Sequence, residues 1–189
     1  RGGDRYDFSL RETQTYEIIE DVAQRKSEIG LLYLNDFNRT ALQKLLRGAD
    51  LDFTPLFTAH AHVFLSSNHP LSSARAVSFD DLAPYPYLSF EQGDHNSFYF
   101  SEEIFSPAVR SKNIRVRDRA TLFNLLIGLQ GYTVCSGVID SKLNGENIVA
   151  VPLTGVAPME IGYILPAGVQ PGSLCRAYIE NLKQYVPID

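Results

Sequence analysis

The chain has 189 residues, a formal net charge of -5, and charged and hydrophobic shares of 21% and 44%, the balance of a soluble globular protein with a core of ordinary size. The negative charge disfavours nonspecific contact with DNA phosphates, which requires clustered Lys and Arg. No apolar run approaches the roughly twenty residues that span a bilayer, and the opening RGGDRYDFSL has no apolar core, so no signal peptide is expected in this chain.

Tyr6, Phe8 and Leu10 alternate with polar residues and predict a half-buried strand. Thr13 and Thr15 then offer two hydroxyl caps before a helix holding Ile18, Ile19, Val22 and Ala23. Residues 29–34, IGLLYL, are continuously apolar and predict a strand buried on both faces. After a polar loop at 35–39, Thr40 is expected to cap a short helix carrying Leu42, Leu45 and Leu46, which Gly48 stops. Residues 51–65 are β-prone and are expected to break at Pro55 and again near 59–61. His60 and His62 are read as projecting from one strand face.

Asn68-His69-Pro70-Leu71 predicts a turn. Ser78-Phe79-Asp80-Asp81 has capping-box spacing and opens a one-turn helix that Pro84 ends. Residues 87–90 predict a strand with a polar exit loop, and Phe98, Tyr99, Phe100, Ile104 and Phe105 predict a helix packing on the sheet.

The stretch 117–138, RDRATLFNLLIGLQGYTVCSGV, organises the rest. A short strand at 114–116 precedes it, Asp118 caps a helix, and Leu122, Leu125, Leu126 and Leu129 recur at helical spacing. Gly131 supplies the left-handed residue that ends the helix, and 132–135 is a second strand. Strand, crossover helix and strand make a βαβ unit, which gives a parallel sheet. Ligands of such sheets sit beyond the carboxyl ends of the strands. That gathers Asp118, Arg119, Thr121, Ser136 and Thr133 around one crevice. Strands at 148–153 and 159–165 follow, and a last helix at 173–185 presents Leu174, Ala177, Tyr178, Leu182 and Tyr185 on one side.

Catalytic signatures are absent: the sequence holds no P-loop, GxGxxG or GxSxG, and no nucleophile with a base and an orienting partner. The histidines lack convergent ligands for zinc, so neither metal nor cofactor is expected. Cys135 and Cys175 suit free thiols in a reducing compartment, with Cys135 a packed core thiol.

The run Glu28-Ile29-Gly30-Leu31-Leu32, then His69-Pro70-Leu71, Val77-Ser78-Phe79-Asp80-Asp81-Leu82, Tyr85-Pro86-Tyr87-Leu88 and Gly128-Leu129-Gln130-Gly131-Tyr132-Thr133-Val134, resembles the effector-binding domain of LysR-type transcriptional regulators. The order and spacing of these motifs carry the resemblance over nearly the whole chain. It implies an α/β protein of two Rossmann-like subdomains of the type 2 periplasmic-binding-protein fold, joined by two crossover segments, with an effector cleft. Subdomain I would be residues 1–61 plus 157–189, incomplete at its N-terminus, and subdomain II residues 62–156. It further implies no enzymatic activity and a small polar or anionic metabolite as effector. The contacts would be Thr13, Thr15 and Tyr33 on one side and Gln92, Asn96, Arg119, Thr121 and Ser136 on the other. For Thr13, Thr15 and Asp118 a capping role stands beside ligand contact. For Arg119, a surface pairing with Asp118 or Asp94 stands beside an effector's carboxylate. The resemblance implies cytoplasmic location, a homo-oligomer (dimer or tetramer in the full regulator), DNA binding only through an N-terminal helix-turn-helix outside this chain, and no membrane partner. The alternative is an extracytoplasmic solute-binding protein of a transporter.

Overall fold

Gly30 shows why α1 can close on its sheet: a Cβ there would stand 2.5 Å from Cγ2 of Ile18 and 3.0 Å from Cγ1 of Ile164. The computed structural model describes residues 7–91, 111–139 and 145–185. Its chain forms two units, Arg1–Thr58 with Glu160–Asp189, and Ala59–Met159.

In unit 1, α1 (Thr15–Ala23), β1 (Gly30–Leu34), α2 (Arg39–Gly48) and β2 (Leu51–Ala59) follow in order, and β8 (Met159–Pro166) and α5 (Ser173–Leu182) close the chain. The sheet order is β1-β8-β2, with β1 antiparallel to β8 and Gly30 opposite Ile164. Ile19 and Val22 of α1, Leu42 and Leu46 of α2, and Leu32, Leu34 and Ile164 of the sheet form its core with Cys175 and Ile179.

Several expectations for this unit are corrected. Residues 7–14 form no strand, and Phe8 and Leu10 are 64% and 88% exposed. Alternation alone does not make a strand without a ladder partner, and none pairs with 7–10 among the described residues. The N-cap of α1 is Gln14, whose side chain does not cap the helix, and Thr15 is the first helical residue. α2 starts one residue before Thr40, with Asn38 as its N-cap. It ends at Gly48 as expected, and Asp50, two residues on, takes the left-handed backbone at φ 56. β1 alternates buried and open positions, with Leu31 exposed, because α1 covers the face of Gly30, Leu32 and Leu34 while the face of Leu31 is left more open. Pro55 does not break β2: β2 is also an edge strand, where a missing N–H costs no ladder bond. His60 lies outside both β2 and the following strand. On α5 the buried stripe is Cys175 and Ile179, with Leu182 half-buried, whereas Leu174, Ala177 and Tyr178 are exposed. Two adjacent stripes of that helix are apolar, and residue size favoured the wrong one.

In unit 2, β3 (His62–Ser66) is followed by α3 (Phe79–Leu82), β4 (Tyr87–Phe90), β5 (Asn113–Val116), α4 (Arg119–Leu129), β6 (Thr133–Cys135) and β7 (Ile148–Pro152). β4 and β5 are parallel. Tyr132 bridges in parallel to Tyr87, with Leu88 N–H donating to Tyr132 O at 2.8 Å and Tyr132 N–H to Pro86 O at 2.9 Å. The crossover β5-α4-β6 therefore flanks β4 as a βαβ unit should. β3 runs antiparallel to both β6 and β7, so the sheet is mixed. Leu122 and Leu126 of α4 pack with Phe64, Leu88, Val116 and Ile148. Leu129 is left 46% exposed. The capping box at Ser78 and Asp81 forms as its spacing dictates.

The left-handed end of α4 is Gln130, at φ 50 and ψ 42, rather than Gly131. Gly131 is there for a different reason: a Cβ would stand 2.2 Å from Cδ1 of Leu88 and 3.0 Å from Pro86 O. The predicted helix over Phe98, Tyr99, Phe100, Ile104 and Phe105 lies outside the described residues, as does Tyr6.

Candidate functional site

The parallel register of β4 and β5 places Phe90 opposite Val116, so the next residues, Glu91 and Arg117, emerge side by side at the carboxyl ends of both strands. Arg117 donates to the Glu91 carboxylate through Nε at 2.6 Å and through a terminal nitrogen at 3.2 Å. This guanidinium, first by hydrogen bonding and then by its charge, holds the Glu91 carboxyl below its usual range.

One residue on, the chain turns into α4. Asp118 has an extended backbone and accepts from Thr121 N–H at 2.8 Å. The Thr121 hydroxyl donates to the same carboxylate at 2.7 Å. The backbone N–H first, and the hydroxyl second, lower the Asp118 pKa, as expected where a carboxylate answers unpaired helix N–H groups. Arg119 is therefore presented at the first position of the helix by a locally fixed turn.

β6 approaches the same region through its carboxyl end. Cys135 lies opposite His62, and its thiol donates to His62 O at 3.6 Å. Burial pushes this thiol up to about 12, against weaker opposing effects that include the charge of Arg119. Arg119 thus lies within electrostatic reach of the β6 end. Ser136 follows, its hydroxyl oxygen accepting from Val138 N–H at 3.4 Å. Gly137 adopts φ +78, and a Cβ there would fall 2.4 Å from Nδ1 of His62; only glycine meets both demands. Nδ1 of His62 bonds the His60 carbonyl at 2.9 Å.

Of the expected residues, Arg119, Thr121 and Ser136 therefore fall at one end of unit 2. Thr133 does not join them, being buried within β6. In unit 1, Thr13 donates its hydroxyl to Glu17, Thr15 is buried, and Tyr33 is half-buried on β1 with its carbonyl accepting from Asn38 at 3.3 Å. Gln92, Asn96 and Asp94 lie outside the described residues. Sequence reasoning missed two features, the Glu91–Arg117 pair and the His62 ring over Gly137. The first was readable only once the strands at 87–90 and 113–116 were known to be parallel neighbours. No group of three or more His, Cys, Asp or Glu among the described residues is arranged to hold a metal ion. No helix among them is long and apolar enough to cross a membrane.

A family model described as the LysR substrate binding domain matches residues 5–187. Among solved structures, the chain is similar to the reduced OxyR regulatory domain from Pseudomonas aeruginosa, at 16% identity and TM-score 0.62, covering 90% of this chain and 79% of that one. It is similar to the effector binding domain of QuiR in complex with shikimate, at 16% identity and TM-score 0.59, covering 94% and 80%. It is also similar to HinK, a LysR family transcriptional regulator from Pseudomonas aeruginosa, at 16% identity and TM-score 0.60. That likeness covers 92% of this chain but 57% of HinK's length. A comparison with curated proteins found no match. At these identities the structural likenesses show the fold, which is the type 2 periplasmic-binding-protein fold.

Proposed function

The chain belongs to the LysR substrate binding domain family, and from that premise we propose that it is the effector-sensing and oligomerisation domain of a transcriptional regulator. The regulator meets DNA through a separate helix-turn-helix. The effector is a small polar or anionic metabolite, and the domain works in the cytoplasm as part of a homo-oligomer. The solute-binding alternative is not favoured, since the matched family is one of regulators.

One observation supports the anionic reading above the others. Arg119 opens a capped helix beside the carboxyl end of β6, where open α/β sheets hold their ligands. A guanidinium there offers a charge-assisted, bidentate partner for a carboxylate, with Thr121 and Ser136 as neutral hydroxyl partners. Binding shifts a conformational equilibrium only by the ligand's difference in affinity between states.

A thermal-shift panel of small carboxylates, shikimate among them, tests the reading. Some anion should raise the melting temperature. Arg119→Ala should weaken that ligand roughly tenfold or more, and Thr121→Ala only a few-fold, because hydrogen bonds to charged groups contribute about 1.5–3 kcal/mol and neutral ones about 1 kcal/mol. A hit whose affinity survives Arg119→Ala removes Arg119 from the site.

A further inference from the structure

His69 is 2% exposed in the turn after β3, and nothing in the effector chemistry uses it. The turn is tied on both sides: His69 N–H donates to Ser66 O at 2.9 Å, and Ser72 N–H to His69 O at 2.9 Å. Leu71 N–H donates to Nδ1 of the ring at 3.0 Å. A nitrogen that accepts cannot also carry a proton, so the neutral ring is protonated on Nε2. Among the described residues Nε2 makes no hydrogen bond of full geometry, although the backbone of Gln130 acts on the ring. The Tyr85 ring covers the imidazole with centroids 4.2 Å apart.

We propose that His69 is a proton-sensitive latch in unit 2, whose neutral ring holds the turn at 66–72 and whose protonation releases it. A proton on Nδ1 would set two donors face to face with Leu71 N–H, inside a packed site where an unmatched polar group is costly. Little answers the added charge. Tyr85 is the titratable side chain packed on the ring. Arg75, further along the same loop, and Lys112, which donates to Pro84 O at 2.6 Å, are exposed. No carboxylate among the described residues acts on the ring; the backbone of Gln130 favours the charged form, but burial outweighs it and lowers the pKa of His69.

Because the folded-state value is depressed, the latch is intact above the unfolded-state histidine range and weakens as pH falls through it. The weakening stops only once pH passes below the folded value. The test is a ring and amide NMR titration of the whole chain. The ring of His69 should show the Nε2–H tautomer near neutrality. Amide protection at Leu71 and Ser72, corrected for intrinsic exchange, should fall with pH by up to roughly tenfold per unit, the linkage slope of one proton. His69→Gln, neutral at every pH, should abolish that dependence. An Nδ1–H tautomer, pH-independent protection, or an unchanged dependence in His69→Gln would each overturn the proposal. If the variant does not fold, the wild-type tautomer and protection profile decide alone.

Discussion

Arg117 reaches Glu91 with two nitrogens, at 2.6 and 3.2 Å, because β4 and β5 are parallel and in register at Phe90 and Val116. Arg117 is 82% exposed, so solvent screens the pair and its weight in stability is small. Its signature is in titration. Glu91 has a depressed folded-state pKa, so its contribution is present above the ordinary glutamate range and lost as pH falls through the lower folded value. Carboxyl-carbon NMR should show Glu91 titrating below the ordinary glutamate range, and Arg117→Ala should bring it back up. No change in the variant would mean that the pair does not persist in solution.

Cys135 is the residue where a redox reading would be tempting, since OxyR structures in oxidised and reduced forms share this fold. Its thiol is pushed up to about 12 by burial, and the thiolate is the reactive species. At pH 8 only about one thiol in ten thousand would be ionised. Iodoacetamide labelling of the folded chain should therefore be orders of magnitude slower at Cys135 than at a free cysteine. Labelling at the rate of a model thiol would contradict the packed environment.

Element positions in unit 2 were largely legible from the sequence. The capping box at Ser78 and the cap at Asp118 are local hydrogen bonds, and local spacing specifies them. What was not legible depends on neighbours far along the chain. β1 reads as doubly buried because its residues are all apolar, but α1 packs on only one of its faces and Leu31 points to the other. Pro55 reads as a breaker until β2 is known to be an edge strand. At the candidate site, the helix start at Arg119 and Thr121 could be read off, whereas the meeting of Glu91 with Arg117 needed the strand register.

The leucines of α4 make the same distinction measurable. Leu126 is fully buried in a cluster with Leu88 and Val116, while Leu129 is 46% exposed. Leu126→Ala should cost about 2–5 kcal/mol, the range for deleting a buried leucine and leaving a cavity. Leu129→Ala should fall within about 0.5 kcal/mol of the parent. Urea unfolding of both variants checks this, and comparable losses would mean that Leu129 is covered in solution.

Gln130 and Gly131 carry the last prediction, because the left-handed role expected of Gly131 falls to Gln130. A glycine after a helix ordinarily supplies the left-handed residue, yet here Gln130 holds φ 50. That conformation crowds the Cβ of any L-residue other than glycine, by about 1–2 kcal/mol. Gln130→Gly relieves the crowding but gives the unfolded chain more freedom. The two effects oppose each other, and the net gain should be below about 1 kcal/mol. Gly131→Ala meets a harder obstacle. The new Cβ would stand 2.2 Å from Cδ1 of Leu88, a side chain with 0% exposure, and 3.0 Å from Pro86 O. Pro86 O is also the acceptor for Tyr132 N–H at 2.9 Å, so moving the backbone away would strain the bridge that ties β6 to β4. Overpacking of this kind costs about 1–3 kcal/mol. Thermal unfolding should therefore move in opposite directions for the two variants, up for Gln130→Gly and down by more for Gly131→Ala. If the signs are reversed, the helix ends at Gly131 after all, and the tight approach of Gly131 to Leu88 is not present in solution.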